Sequence, residues 1–355
     1  MAKTITNKLD LKPGDRILIS RSDRLGDLIL ALPFVETIKA RYPECRVDVL
    51  ASLYASPMLE NNQRIDGIVR VLNHQLLSNK RYKKEILNSI RRADYKVAVV
   101  LYPSRQISQL FYKAGIPIRI GTAGRFHSVF FSHHLFHSRK ANKKHEYEYN
   151  LDFLEFFRDG ETVRIPTVYT TEKEVNNARR ILGDVDVRGE FIVLHPGSGG
   201  SAEPWPLERF IQLNGRLVKD GFQVVTTGSE EEGVQIRQMS DRLGIPVKTI
   251  TGETDLRTLA ALLSLATVVV ANSTGPLHLA VAVKTNVVGL YPGKKVMSPV
   301  RWGPLGKDDR VILSTVENCT CPPGQCQCME AIAVERVAEE VISLFRKVSH
   351  RKSLV

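Results

Sequence analysis

The stretch RILISRSDRLGDLILALPFVETIKA, residues 16–40, decides the fold class. Arg16–Ser20 is a short apolar run, RSDRLGD is turn-like, and from Leu28 to Ala40 apolar residues recur at helical spacing. A run of this kind leading through a turn into an amphipathic stretch is a β-loop-α unit. Working outward, the signature repeats. Val47–Leu50, Ile68–Val71 and Ile118–Gly121 read as strands, and Val97–Leu101 (VAVVL) has the unbroken apolar character of a buried parallel strand. Glu146–Phe157 reads as a helix, and the pattern then restarts beyond Pro166. Helices are expected at Glu172–Leu182, Arg209–Asp220, Glu231–Leu243 and Leu256–Leu265. Strands are expected at Phe191–His195, Gln223–Thr227, Val247–Thr249, Thr267–Ala271 and Asn286–Leu290. Strands alternating with helices predict an α/β, doubly wound parallel sheet. Two successive sets, with a junction near residues 160–185, predict two Rossmann-like domains facing a central cleft, over 1–165 and 186–330. Within 331–355 a last helix, Ile332–Lys347, is a candidate to cross back to the first domain.

Bulk properties narrow the function classes. A chain of 355 residues suits two domains better than one. The longest near-apolar run, Leu259–Ala271, has 13 residues broken by Ser264 and Thr267, short of the ~20 that a bilayer span needs. The N-terminal MAKTITNKLDLKPGD has no apolar core of a secretory signal, so a cytoplasmic location is expected. The net charge of +12 suits a nucleic acid, an anionic membrane surface or a phosphorylated substrate. Cations are spread along the chain, with concentrations at 80–92, 139–144 and 346–352. No zinc-finger or RNA-recognition pattern accompanies them, so no nucleic-acid partner is expected. Cys319, Cys321, Cys326 and Cys328 form C-x-C-x4-C-x-C, whose spacing differs from the C-x2-4-C knuckles of structural zinc. A reduced, loop-borne cluster is the reading, and no metal site is assigned.

Three segments follow strands, where open α/β sheets bind ligands. In residues 21–33 Asp27 lies at the strand-to-helix turn, where it is either an N-cap or a general base for an acceptor hydroxyl. Residues 194–210, LHPGSGGSAEPWPLERF, run from strand into glycines and serines before a helix. Such a loop offers backbone N–H groups to a diphosphate, although a plain flexible loop has the same composition. Residues 268–283, VVVANSTGPLHLAVAV, end a strand at Asn272 and open a helix at Thr274 and Gly275, with Pro276 and His278 in its first turn. This is a second phosphate-type helix start, and His278 falls near any phosphate held there.

The GD turn with L-x-L-A-L-P, the HPGSG…WPLERF loop, TTGS-E and N-S-T-G-P-L-H-L-A occur in this order. Together they resemble glycosyltransferase family 9, the heptosyltransferases, over roughly residues 15–345. The resemblance implies a GT-B fold and a metal-free, inverting transfer from a nucleotide-sugar, which is a substrate, so that no cofactor is expected. It implies that Asp27 is the catalytic base, that Ser198 and Gly199 hold the donor diphosphate and that Glu230 binds the ribose. Thr274, Gly275, Pro276 and His278 match the second phosphate segment, and Cys328-Met329 with Ile332 matches a common tail. The implied acceptor is a phosphorylated, lipid-linked saccharide such as lipopolysaccharide core, met by a monomer at the inner face of the membrane.

Two positions depart from the family pattern. Glu203 stands where a lysine often faces the donor phosphates, which calls for another cation, with Lys294 and Arg301 as candidates, or for Glu203 to turn away. Ser273 stands where many members have Asp. Five of the nine histidines lie between His127 and His145 amid aromatics, which reads as an acceptor-side strand and loop. Arg125, Lys143 and Lys144 are the candidates there for meeting acceptor phosphates.

Overall fold

The computed structural model describes residues 8–200, 202–321 and 327–352. The chain divides into two compact units at Thr167/Val168.

In the first unit the order is β1 (Arg16–Ser20), α1 (Leu25–Ile29), α2 (Leu32–Arg41), β2 (Arg46–Ser52), β3 (Gly67–Val71), α3 (Asn73–Ser78) and α4 (Lys80–Ala93). Then come β4 (Val97–Val100), α5 (Arg105–Ala114), β5 (Ile118–Thr122), β6 (His133–Leu135) and α6 (Glu146–Leu151). The six strands form a parallel sheet in the order β3-β2-β1-β4-β5-β6. Its core joins strand residues such as Leu18, Leu50 and Ala98 to Ile107, Leu110 and Phe111 of α5. Burial on both sheet faces explains why VAVV shows no alternation: all four residues are inside. The helix expected over Leu28–Ala40 is two helices. Pro33 has no N–H to give the turn before it, and the chain breaks at Leu30–Ala31.

The second unit contains α7 (Glu172–Asp184), β7 (Ile192–His195), α8 (Leu207–Lys219), β8 (Val224–Gly228), α9 (Glu230–Leu243) and β9 (Thr249–Thr251). It continues through α10 (Leu256–Leu265), β10 (Val268–Asn272), α11 (Gly275–Ala282), β11 (Asn286–Tyr291), α12 (Pro299–Trp302), β12 (Arg310–Leu313) and α13 (Val334–Lys352). Its sheet, also parallel, runs β12-β11-β10-β7-β8-β9. Strand β12, RVIL, escapes the sequence reading because only Ile312 of its four residues is buried.

The last helix is not placed as expected. It packs on the core of its own unit, where Val337, Val341, Leu344 and Phe345 meet Ile192, Phe210, Leu217 and Ile312. A stripe of apolar residues identifies a buried face but not the sheet that buries it. Cys326 lies outside the described residues. Of the other three cysteines in the cluster, Cys328 is buried, Cys319 half-buried and Cys321 exposed. Among the described residues no group of His, Cys, Asp and Glu could hold a metal ion, and no helix is long and apolar enough to cross a membrane.

Candidate active site

Strand order fixes where each unit can hold a ligand. Numbering reverses direction between β1 and β4 in one sheet and between β10 and β7 in the other. The crevice of a doubly wound sheet opens at the carboxyl ends of such a pair. The loops concerned are those after β1 and β4, and those after β7 and β10.

After β1 comes Arg21, 1% exposed despite its charge. Its guanidinium is surrounded by acceptors. Nε donates to Asp23 at 2.8 Å, Nη2 to Asp27 Oδ1 at 2.5 Å, and Nη1 to Glu146 Oε1 at 2.9 Å and Asn150 Oδ1 at 3.0 Å. Its face also lies over the Tyr102 ring, which follows β4. Asn150 returns a bond from Nδ2 to the Leu30 carbonyl, tying α6 to the break between α1 and α2. Arg139 comes from the far side to the same acceptors, at 3.0 Å from Glu146 Oε1 and 3.1 Å from Asn150 Oδ1. From Arg139 the chain of contacts runs to His137, then Asp152, then Lys144.

Asp27 is therefore no N-cap. It is the third residue of α1, whose N-cap Arg24 makes no side-chain cap bond, and its carboxylate is committed to Arg21. Burial pushes its pKa up to about 6, Arg21 opposes that rise, and Asp23 and Glu146 reinforce it. A carboxylate poised near neutrality and hydrogen-bonded to a fixed cation is suited to accept a proton from a hydroxyl. All three acceptor candidates are exposed, and Lys144 is also engaged with Asp152 at 2.7 Å.

In the second unit Asn272, at the end of β10, joins the two phosphate-type loops. Its Nδ2 donates to the Pro196 carbonyl and its Oδ1 accepts from the Trp205 N–H, both at 2.8 Å. The loop after β7 carries Ser198, then Gly199 and Gly200 with φ of +51° and +69°, a left-handed turn that glycine adopts without strain. Gly197 must lack a side chain: a Cβ would stand 2.3 Å from Glu232 Oε1. Glu232 closes a capping box with Ser229 at the start of α9. Glu230, the predicted ribose ligand, is the first residue of that helix and exposed. His195 donates to or accepts from Thr227 Oγ1 at 2.9 Å. Burial lowers its pKa to about 4 against the pull of Glu232, so it is neutral at pH 7.

After β10, Thr274 is the N-cap of α11, with its hydroxyl turned back to the Asn272 carbonyl. Gly275, Pro276 and a buried His278 form the first turn. The N–H groups that open a helix have no partner within it and favour anions. Glu203 is buried, and Lys294 Nζ donates to its Oε1 at 2.5 Å. The buried charge of Glu203 is thus balanced within the unit by Lys294. Arg301 instead stacks on Trp302.

Sequence reading missed Arg21, Glu146, Asn150, Asn272 and Glu232. Glu232 carried a local signal, the S-x-x-E capping box at Ser229, and Asn272 opens the N-S-T-G-P motif without any sign of its bridging bonds. The Arg21–Glu146 pair spans 125 residues, a separation that spacing rules do not reach.

Comparison with known proteins agrees with this layout. Residues 84–331 match the model of glycosyltransferase family 9 (heptosyltransferase). Lipopolysaccharide heptosyltransferase 2 of Salmonella typhimurium is 26% identical over 352 residues, covering 93% of this chain and 98% of that protein. Among solved structures, a family 9 glycosyl transferase from Veillonella parvula superposes with a TM-score of 0.79 at 18% identity, over 95% of this chain and 99% of that one. The ADP-heptose lipopolysaccharide heptosyltransferase II of Escherichia coli gives 0.76 at 22% identity, over 94% and 99%. The fold is GT-B. With a family match across most of its length and strand-end loops built as described, the chain belongs to glycosyltransferase family 9, the heptosyltransferases, and is a glycosyltransferase.

Proposed function

We propose that the protein transfers heptose from ADP-heptose to a lipopolysaccharide-core or related lipid-linked saccharide, with inversion at the anomeric carbon. The observation that carries the reading is Asp27, a largely buried carboxylate held at 2.5 Å by Arg21 and raised by burial to a pKa of about 6. The relatives support the substrate: the Salmonella protein is named for lipopolysaccharide and the Escherichia coli one for ADP-heptose.

In this scheme Asp27 takes the proton of an acceptor hydroxyl as that oxygen attacks the anomeric carbon. The bond from that carbon to the diphosphate breaks, and charge builds on the leaving ADP. Backbone donors of Ser198–Gly200 and Thr274–Gly275, with His278, stabilise that charge. Glu230 binds the ribose hydroxyls. The donor is a substrate and no further cofactor is needed. Arg125 and Lys143 face the phosphates of the acceptor, and a monomer works at the inner face of the cytoplasmic membrane.

A thermal-shift panel of ADP-, GDP- and UDP-sugars tests the donor, since a ligand that binds only the folded state raises the melting temperature. ADP-heptose should give the largest shift. Asp27→Ala should keep that shift and lose turnover by ~10²–10⁴-fold, the usual worth of a general base. Selectivity for a GDP- or UDP-sugar would overturn the donor assignment, and near-normal turnover in Asp27→Ala would overturn the base.

A further inference from the structure

The cations of this chain are dispersed, but its acids are not. From Tyr95 to His145 there are nine Lys and Arg and no Asp or Glu, so 51 residues carry +9 of the net +12. The other 304 residues hold 41 basic and 38 acidic residues, a balance of +3. The segment covers β4, α5, β5 and β6, half of the first sheet out to its edge strand.

Topology brings several of these exposed cations to one end, whereas Lys96 and Lys113 lie at the other. Arg105 begins α5 after β4, Arg125 and Phe126 follow β5, and Phe136 and Lys140 follow β6. The strands are parallel, with Thr122 level with Leu135, and Ala123 N–H bonds the Leu135 carbonyl. The loops after β5 and β6 therefore leave side by side at the sheet edge. Phe126 is 93% exposed, Val129 74% and Phe136 74%. Three large apolar side chains in water beside cations, with no acid in the intervening sequence, have the composition of an interfacial anchor.

We infer that this edge docks the enzyme on an anionic lipid surface, with Phe126, Val129 and Phe136 entering the headgroup boundary and Arg105 and Lys140 meeting lipid phosphates. The inference rests on the lipid-linked acceptor proposed above, and it assigns that contact to one edge of one unit. Val129 favours lipid over nucleic acid, because an aliphatic side chain offers no ring for a base to stack on. The fully acid-free stretch supplies the complementarity that a leaflet rich in anionic lipid requires.

The test is cosedimentation of the full-length protein with vesicles of phosphatidylcholine alone and with about a third phosphatidylglycerol. The parent should bind only the anionic vesicles, more weakly at high salt. Phe126→Ser with Phe136→Ser should lose at least about tenfold in partitioning, the worth of burying an aromatic side chain. Lys140→Gln should lose about fivefold, and Lys140→Glu more. All are surface changes, so melting temperature and transfer to a water-soluble, delipidated acceptor should stay at parental levels. Equal binding to neutral and anionic vesicles, or none, would overturn the docking surface while leaving the transferase reading intact. Loss of transfer to the soluble acceptor with vesicle binding retained would overturn it too, moving these residues to the acceptor site. So would binding of single-stranded RNA in place of vesicles. Absence of transferase activity in the parent would instead count against the proposed function, whatever the vesicles show.

Discussion

Replacing Asp27 with Asn should disable the enzyme and stabilise it, and the size of the second effect follows from the site. In the unfolded chain Asp27 ionises near 3.8, and in the fold burial moves this to about 6. The ionised form is then less favourable in the folded protein by about 3 kcal/mol, at ~1.4 kcal/mol per tenfold. Between these two pKa values the folded state binds the proton more tightly, so the stability from Asp27 is fully present below pH 3.8 and lost as pH rises towards 6. Asparagine carries no charge and escapes that loss. The advantage of Asp27→Asn over the parent should therefore be about half developed at pH 5 and complete above pH 7, at most about 3 kcal/mol. Denaturant melts of both proteins across this range measure it. Taking the difference at each pH cancels His195, whose depressed pKa acts in the opposite sense and costs the parent stability as pH falls below 6.5. Activity supplies the other half. Parental kcat/KM should fall about tenfold from neutrality to pH 5 as Asp27 takes up its proton. A variant less stable than the parent at pH 7.5, or a parental rate flat down to pH 5, would refute the claim that a costly ionised Asp27 is the working base.

Two further outcomes are expected. Lys294→Met should destabilise the second unit by roughly 3–5 kcal/mol, because it removes the cation paired with the buried Glu203 carboxylate. The double variant with Glu203→Gln should regain most of that in thermal melts, whereas a donor-phosphate role for Lys294 would show as lost ADP affinity in the double variant. Asn272→Ala should leave the Trp205 N–H and the Pro196 carbonyl without their bonds, at ~1–3 kcal/mol each for buried groups. Calorimetry should then show weaker ADP binding, since both phosphate-type loops lose their common support.

The runs Arg16–Ser20, Val97–Val100 and Val268–Asn272 are short, rich in β-branched and other apolar residues and closely followed by turn residues, which suits covered parallel strands. From that the sequence by itself determined two doubly wound sheets, the strand ends at which ligands belong, and the loops at 21–27, 196–206 and 273–278. These are local properties: hydrophobic period, glycine, proline and cap chemistry act within a few residues. Tertiary structure alone decided what those loops are made to do. Asp27 differs from a helix cap because it pairs with Arg21, on which Glu146 and Asn150 also converge, and Glu146 is 125 residues from Arg21. Glu203 can be buried because Lys294, 91 residues on, takes up its charge. The last helix carried a legible apolar stripe, but its partner, the second sheet, was not written in it. Pairings between distant charges are chosen by desolvation, which depends on what the whole fold packs around them, and no sequence window contains that information.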